Sequence, residues 1–161
     1  MSELTALDYE LVRQLVARYN FAVDLGDTEA VGACYTPDGV FEAVGIPSDH
    51  PIGGRHVGTE QLVTFYRRHF AAYQGLVRHF NAGNAVIRGD RRMISMKSYM
   101  IALSAGTAPH AGILSTGIYF DTLRKDDGVW RFAERRWVGD PQPEHEDNSF
   151  NQALLAADAT I

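Results

Sequence analysis

The sequence predicts an α+β fold in which a curved, mostly antiparallel sheet wraps around helices from the N-terminal half of the chain. Two stretches with the hydrophobic period of a helix lie in the first half, and long strand-like segments joined by short turns fill the second. Helices and strands that are segregated along a chain in this way are typical of α+β proteins. A sheet that curls around helices leaves a central cavity on its concave side, where small molecules commonly bind.

The first predicted element is an amphipathic helix over residues 4–24, because apolar residues recur there every three or four positions. Gly26 is a typical helix stop, since glycine readily adopts the left-handed conformation that ends many helices. Asp27 can accept hydrogen bonds from the free amides at the start of a second, shorter helix over residues 28–34. Both helices therefore precede any predicted strand.

A turn, a short strand, a loop and a further helix are predicted next. Residues 35–39 have the composition of a turn, and residues 40–44 then form a short strand. Residues 45–58 contain four glycines, two prolines and two histidines, which predicts a loop of the length used by lids and binding loops. Thr59 is the predicted cap of a helix whose apolar face extends to about residue 73.

The second half is predicted to be a meander of antiparallel strands. Asn81–Gly83 interrupts the first strand segment and is interpreted as a bulge or kink. Asp126–Gly128 has the Asp-Gly sequence that favours a tight hairpin turn. Residues 1–140 are expected to form one domain, followed by a tail over residues 141–161 that covers either the cavity or an oligomer interface. The predicted strands are residues 76–80, 85–88, 93–103, 113–123 and 129–138.

Composition and charge exclude several classes of partner. The chain has 161 residues, with 15 Lys+Arg, 20 Asp+Glu and a formal net charge of −5. Nucleic acids and anionic membranes require concentrated basic residues, so neither is an expected partner. No apolar run approaches the roughly 20 residues of a membrane span, and we expect no signal peptide. A single cysteine cannot form an internal disulfide, which predicts a cytoplasmic protein.

Several segments resemble the NTF2-like superfamily, and specifically its SnoaL-like branch of cone-shaped α+β proteins. Together they extend over about residues 5–140. The resemblance implies a cone with a central cavity and, as in many relatives, pairing of the convex sheet faces, so we expect a homo-oligomer, a dimer or a trimer. The matching segments are Leu15–Asp24 with Gly26-Asp27, Tyr35–Phe41, Arg78-His79 with Asn84, Gly117–Asp121 and Asp127–Arg136.

Within this superfamily the chain resembles enzymes of the bile-acid 7α-dehydratase, hexachlorocyclohexane dehydrochlorinase and scytalone dehydratase types. The resemblance implies that the catalytic set is Tyr19, Asp24, His79 and Arg135. The scytalone dehydratase pattern includes a second active-site histidine, for which no counterpart is identified in this sequence. His110 lies in a predicted loop and is not assigned to the cavity.

The chemistry of Asp24 and His79 supports part of this set. A neutral imidazole can accept a proton near pH 7, and a carboxylate on its other nitrogen fixes the tautomer and raises its basicity. His79 is the predicted base and Asp24 the predicted carboxylate. An anion at a helix C-terminus is locally unfavourable, so Asp24 is expected to have a partner. The alternatives are a strand histidine with a satisfied hydrogen bond, and a solvated carboxylate linked to Arg18 or Arg55.

The positions of Tyr19 and Arg135 leave alternatives open. Tyr19 precedes Asp24 by five residues, or about 140° around a regular helix, so the two converge only if the last turn is distorted or one side chain reaches around. The alternative for Tyr19 is a core tyrosine. Arg135 and Arg136 point to opposite faces of a strand, and parity does not select the one in the cavity. The resemblance favours Arg135, and the alternative is a cross-strand ion pair with Asp121.

Neither a metal nor a cofactor is expected. His50 and His56 lie in the long loop without the spacing of a zinc site. The sequence has no glycine-rich phosphate motif, no nucleophile elbow and no Cys-x-x-Cys. It therefore lacks the usual motifs of nucleotide-cofactor binding and of covalent acyl transfer. Cys34 has no evident activating partner, so we expect it to pack in the core.

We therefore expect an enzyme, a cofactor-independent lyase or isomerase with dehydratase-like acid/base chemistry on a small apolar cyclic substrate. In this hypothesis His79 is the base and Asp24 orients it. The first alternative is a non-catalytic small-molecule-binding or association module of the same fold. The second is an epoxide hydrolase or polyketide cyclase, which would require further carboxylates around a water molecule.

Overall fold

The computed structural model describes residues 3–105 and 112–140, apart from the side chains of residues 82–86. The predicted tail over residues 141–161 and His110 lie outside the described residues. The described helices are α1 (Ala6–Leu25), α2 (Thr28–Ala33) and α3 (Gly58–Tyr73). The described strands are β1 (Tyr35–Ala43), β2 (Gly54–Val57), β3 (Val77–Gly89), β4 (Met93–Ser104), β5 (Gly112–Asp126) and β6 (Val129–Gly139).

The strands form one curved, unclosed sheet with the order β2-β1-β6-β5-β4-β3. Neighbouring strands run antiparallel, except that β1 and β6 run parallel. The hairpin β1–β2 from the first half of the chain is thereby joined to the meander β3–β6 from the second half. The predicted α+β class and the predicted meander are both confirmed.

Local sequence signals fix both ends of α1. At the start, Thr5 and Asp8 form a capping box, in which each side chain accepts a hydrogen bond from the backbone amide of the other residue. At the end, Gly26 adopts φ 73°, the left-handed conformation predicted for it. Asp27 then caps α2, as predicted. The helix therefore ends immediately after Asp24, which places this carboxylate beside the sheet.

Three predictions for the middle of the chain are wrong. Residues 35–39, predicted as a turn, belong to β1, and their Pro-Asp-Gly sequence marks a shift of register against β6 rather than a chain reversal. The predicted loop over residues 45–58 contains β2, which pairs with β1. Thr59 does not cap α3, because the helix begins one residue earlier and has Val57 at its cap without a side-chain hydrogen bond.

The bulge predicted in β3 is confirmed. Asn81 pairs with Met100 and Ala85 pairs with Ser98, so three residues of β3 face a single residue of β4. Because the excess is two residues, the alternation of side chains keeps its phase across the bulge. His79 therefore lies on the same face of the sheet as Ile87.

The core between the helices and the concave face of the sheet contains a chain of three tyrosine hydroxyls. The Tyr66 oxygen lies 2.7 Å from that of Tyr19 and 2.8 Å from that of Tyr35. Burial raises the pKa of all three phenols above the ordinary tyrosine value, so they remain neutral. No helix in residues 3–105 and 112–140 is long and apolar enough to cross a membrane.

Candidate active site

The end of α1 and the strand β3 bring Asp24 and His79 into contact. The His79 Nδ1 atom lies 2.6 Å from Oδ1 of Asp24, and each side chain is 10% exposed. An ionised carboxylate only accepts hydrogen bonds, so Nδ1 carries the proton in this contact. In the neutral ring Nε2 is then a lone-pair acceptor, and it has no hydrogen-bond partner among the described residues. This is the tautomer that a general base requires.

A second contact fixes the same carboxylate. The backbone amide of His79 donates to both oxygens of Asp24, over 3.2 Å and 3.1 Å. On the side away from β4, β3 has no neighbouring strand among the described residues, and Asp24 accepts the His79 amide there. The partner expected for Asp24 is therefore His79 itself. Arg55, one of the alternatives, pairs with Glu42 and Glu134 instead.

His79 lies on the wall between two cavities. The larger, which we call the inner cavity, has a volume of about 810 Å³ and lies between the helices and the concave face of the sheet. The smaller, which we call the outer pocket, has a volume of about 380 Å³ and lies between α1 and β3. Asp24 lines only the outer pocket. Aromatic side chains form a large part of the inner wall, and they include Phe41, Phe65, Tyr66, Tyr73, Tyr119 and Trp137.

Tyr19 lines the inner cavity but does not bond to Asp24. Its hydroxyl bonds to Tyr66, and its ring packs against the guanidinium of Arg135, 4.3 Å from Cζ to the ring centroid. The regular helix keeps Tyr19 and Asp24 on different faces, as their separation of five residues predicts. The structure thus brings together Asp24 and His79 but not Tyr19 and Asp24.

Arg135 forms a buried ion pair with Asp121, which the sequence offered as the alternative to a position in the cavity. Its Nε and Nη2 atoms donate to the two oxygens of Asp121 over 2.8 Å and 2.9 Å, and both side chains are 0% exposed. The guanidinium also contacts the rings of Tyr19, Tyr119 and Phe132. Arg135 therefore lies behind two tyrosines of the inner cavity and is not among the residues that line it. On the opposite face of β6, Arg136 pairs with Glu42.

His69 is a residue of the inner cavity that the sequence analysis missed. It lies on α3, is 8% exposed, and has its ring centroid 5.6 Å from that of His79. Burial, together with the nearby His79, lowers the pKa of His69 to about 3, so its imidazole is neutral near pH 7. The spacing along α3 could have predicted this position. His69 follows Leu62 by seven residues and Phe65 by four, which places the three on one face of the helix.

The outer pocket combines an apolar floor with two amide side chains. Asn20 and Asn81 both line it, and the Oδ1 atom of each is buried without a partner among the described residues. The Nδ2 atom of Asn81 donates to Ser98 over 2.9 Å. The outer pocket therefore reaches His79 beside two amide side chains, whereas the inner cavity reaches it beside aromatic rings.

Comparison with known proteins gives the same fold throughout. A protein of unknown function with a cystatin-like fold from Nostoc punctiforme is 26% identical, with a TM-score of 0.75 over 87% of this chain and 96% of that one. A protein of unknown function from Mycobacterium tuberculosis is 27% identical, with a TM-score of 0.73 over 97% of both chains. A protein from Novosphingobium aromaticivorans described as a candidate scytalone dehydratase is 19% identical, with a TM-score of 0.70 over 88% of this chain and 90% of that one.

No curated protein matches the sequence significantly. The family model that matches is that of the SnoaL-like domain, and it extends over residues 4–136, from before the start of α1 into β6. With that coverage, and with an NTF2-like fold throughout its described structure, the chain belongs to the SnoaL-like domain family.

Proposed function

We propose that this protein is a cofactor-independent lyase or isomerase that removes a proton from a small, mostly apolar ring compound bound in the inner cavity. The contact between Asp24 and His79 at the cavity wall carries the proposal. It supplies an imidazole whose Nε2 atom has no partner among the described residues, beside a space large enough for a compound of several rings.

In the proposed reaction, Nε2 of His79 takes a proton from a ring carbon next to a carbonyl or a leaving group. The electron pair of the broken C–H bond forms a C=C bond, either as an enolate or as the leaving group departs with its own electron pair. Asp24 stabilises the imidazolium through Nδ1. The imidazolium then returns the proton to the departing group or to another carbon, which restores the base. A proton-transfer group of this kind contributes about 10²–10⁴-fold to the rate.

The proposal gives Tyr19 and Arg135 different parts. Tyr19 lines the inner cavity, so its ring is available to contact the bound compound. Arg135 is held by Asp121 and stacks on Tyr19 and Tyr119, so we assign it a positioning role behind the cavity wall. The relative described as a candidate scytalone dehydratase is compatible with a dehydration, although at 19% identity the likeness shows only the shared fold.

Hydrogen exchange tests this proposal without knowledge of the natural substrate. Ring ketones such as 2-tetralone carry acidic protons next to their carbonyl group, and those that bind are incubated with the protein in D₂O. We expect deuterium to enter that position faster with the wild-type protein than without it, and His79→Ala to abolish the acceleration. His56→Ala is the matched control, because His56 does not line the inner cavity and should leave the exchange unchanged.

Ketones that bind in the inner cavity without accelerated exchange would contradict the proposal. That result would favour the non-catalytic binding module, since the aromatic cavity would then hold a ligand without chemistry. Equal exchange rates for the wild-type protein and His79→Ala would also contradict it, because the base would then be elsewhere.

A further inference from the structure

Three residues on neighbouring strands lie side by side on the concave face of the sheet, and we call them the concave row. His79 of β3 pairs with Ala102 of β4, and Ala102 pairs with Ser115 of β5. Residues that pair directly across antiparallel strands have their side chains on the same face. All three line the inner cavity, so this face is the concave one. The histidine base and a serine hydroxyl are therefore separated by a single alanine.

The backbone contacts of His79 set the spacing of the concave row. The His79 amide donates to Asp24 and is turned away from β4, which makes His79 and Ala102 a non-hydrogen-bonded pair. Ala102 then turns its own amide and carbonyl toward β5, so it forms a hydrogen-bonded pair with Ser115. With the usual spacings of these two kinds of pair, the Cα atoms of His79 and Ser115 are about 10 Å apart.

The imidazole of His79 directs its free nitrogen to the inner cavity. Its Nδ1 atom is bonded to Asp24, which lines the outer pocket and not the inner cavity. In an imidazole ring the lone pair of Nε2 points in a direction nearly opposite to that of the Nδ1–H bond. Nε2 therefore points away from Asp24, on the side where His79 borders the inner cavity.

The hydroxyl group of Ser115 can bond to a compound in the inner cavity. Ser115 is half-buried, lines the cavity, and its Oγ atom has no hydrogen-bond partner among the described residues. A hydroxyl group both donates and accepts, so it bonds to a carbonyl or a hydroxyl oxygen. A halogen atom bound to carbon is a much weaker acceptor. Ser115 therefore favours an oxygen substituent over a halogen.

Ala102 leaves the space between the two polar side chains open. Its methyl group is the smallest side chain with a Cβ, and it lies under the part of the cavity that His79 and Ser115 flank. A ring carbon in contact with Nε2 of His79 fits there together with an oxygen on the neighbouring carbon, since both flanking side chains extend into the cavity.

We propose that Ser115 is a catalytic residue that bonds an oxygen substituent on the carbon next to the one that His79 deprotonates, with the reacting part of the ring over Ala102. If the oxygen belongs to a carbonyl group, the C–H electron pair forms a C=C bond and the carbonyl π pair moves onto the oxygen, to which Ser115 donates. If it belongs to a hydroxyl group, it departs with the C–O electron pair and takes the proton of the imidazolium, which releases water. The substrate is therefore an oxygenated ring compound. The part of Ser115 in the reaction rests on the proposed function, whereas its preference for oxygen rests on the concave row alone.

Two probes of one shape test the preference for oxygen by equilibrium dialysis. 2-Naphthol has a hydroxyl group where 2-chloronaphthalene has a chlorine atom. Loss of one hydrogen bond lowers an affinity by about tenfold, so Ser115→Ala should lower the ratio of the affinity for 2-naphthol to that for 2-chloronaphthalene by about this factor. Ser115→Thr keeps a hydroxyl group and should keep the ratio. Ser95→Ala is the matched control, because Ser95 is a β4 serine that does not line the inner cavity.

Exchange into 2-tetralone in D₂O tests the part of Ser115 in the reaction. Ser115→Ala should slow the accelerated exchange by about 10²-fold, the effect of removing a donor to a developing negative charge. Ser115→Thr and Ser95→Ala should exchange at about the wild-type rate. Ala102→Leu should abolish the acceleration in a protein that a thermal melt shows to be folded, because the leucine side chain fills the space assigned to the ring.

An affinity ratio that Ser115→Ala leaves unchanged would overturn the inference, and so would undiminished exchange in a folded Ala102→Leu protein. If exchange depends on His79 but neither the ratio nor the rate depends on Ser115, this inference alone is wrong. If the ratio depends on Ser115 but the wild-type protein does not accelerate exchange, only the proposed function is wrong.

Discussion

Asp24 and His79 are 55 positions apart in the sequence, yet Nδ1 of His79 lies 2.6 Å from Oδ1 of Asp24 and the His79 amide donates to the same carboxylate. His79 therefore contacts the Asp24 carboxylate twice, through its backbone amide and through its imidazole ring. The backbone contact fixes where the carboxylate lies, and the side-chain contact fixes the tautomer of the imidazole. The two roles can be separated by substitution.

Asp24→Asn should separate them. The amide oxygen still accepts from the His79 backbone, so we expect the thermal unfolding temperature to change little. The uncharged amide no longer stabilises an imidazolium, so exchange into a bound ring ketone should fall by about 10²-fold or more. Exchange measured by NMR beside a thermal melt checks both expectations. Wild-type exchange in a folded Asp24→Asn protein would show that the carboxylate has no part in the proton transfer.

Arg135→Met should destabilise the protein strongly. The variant leaves the buried carboxylate of Asp121 without its cation, for which we expect a loss of about 3–5 kcal/mol in the free energy of unfolding. The double variant Arg135→Met with Asp121→Leu removes both charges and should regain most of that loss. Urea denaturation of the two variants gives the comparison. A double variant that stays as unstable as Arg135→Met would show that the loss does not come from the unpaired carboxylate of Asp121.

Tyr66→Phe should cost more stability than Tyr35→Phe. The Tyr66 hydroxyl bonds to both Tyr19 and Tyr35, whereas the Tyr35 hydroxyl bonds only to Tyr66 among the described residues. Removal of the central hydroxyl therefore breaks two buried hydrogen bonds, at about 0.5–1.5 kcal/mol each, whereas removal of the Tyr35 hydroxyl breaks one. Removal of the terminal one leaves Tyr66 bonded to Tyr19. Equal losses in urea denaturation would show that the three hydroxyls do not act as a chain.

His69 should make stability depend on pH between about pH 6.5 and pH 3. Burial lowers its pKa in the folded protein to about 3, below the ordinary value of 6.5, so the unfolded chain binds an extra proton in this range. Stability therefore rises with pH, by up to about 1.4 kcal/mol per pH unit, and falls on acidification. His69→Asn should have a shallower slope than the wild-type protein. Parallel slopes in urea denaturation at several pH values would show that His69 does not titrate on unfolding.

The sequence predicted the parts of the site that depend on local pattern and on family resemblance. The end of α1 at Gly26, the bulge after Asn81 and the pairing of Asp24 with His79 all follow from such signals. Their common feature is that a short motif, or a motif shared with relatives, determines the position. A local sequence pattern is therefore sufficient to predict an element that depends on neighbouring residues, and a family resemblance is sufficient where relatives share the motif.

The parts that were missed depend on contacts between distant segments. Residues 35–39 have the composition of a turn, but the parallel partner β6 pairs with them as an irregular strand. For Arg135 the sequence left the cavity and the ion pair with Asp121 open, because parity on one strand does not determine which face of β6 meets the concave side. His69 lies on the apolar face of α3, but a histidine is not itself apolar. Its position at the inner cavity is recognised only when the packing of α3 against the sheet is known.

The parallel pairing of β1 with β6 has a consequence for how the molecule folds. Phe41 pairs with Arg135, so this pairing closes a loop that contains most of the chain. Closing such a loop costs entropy before the contacts repay it, and proteins with long-range pairings of this kind fold in milliseconds to seconds. The contact between Asp24 and His79 needs only α1 and β3, whereas the wall of the inner cavity also needs Trp137 of β6. During synthesis both residues of the Asp24–His79 contact are therefore complete before β6, whereas the wall of the inner cavity lacks Trp137 until β6 has left the ribosome.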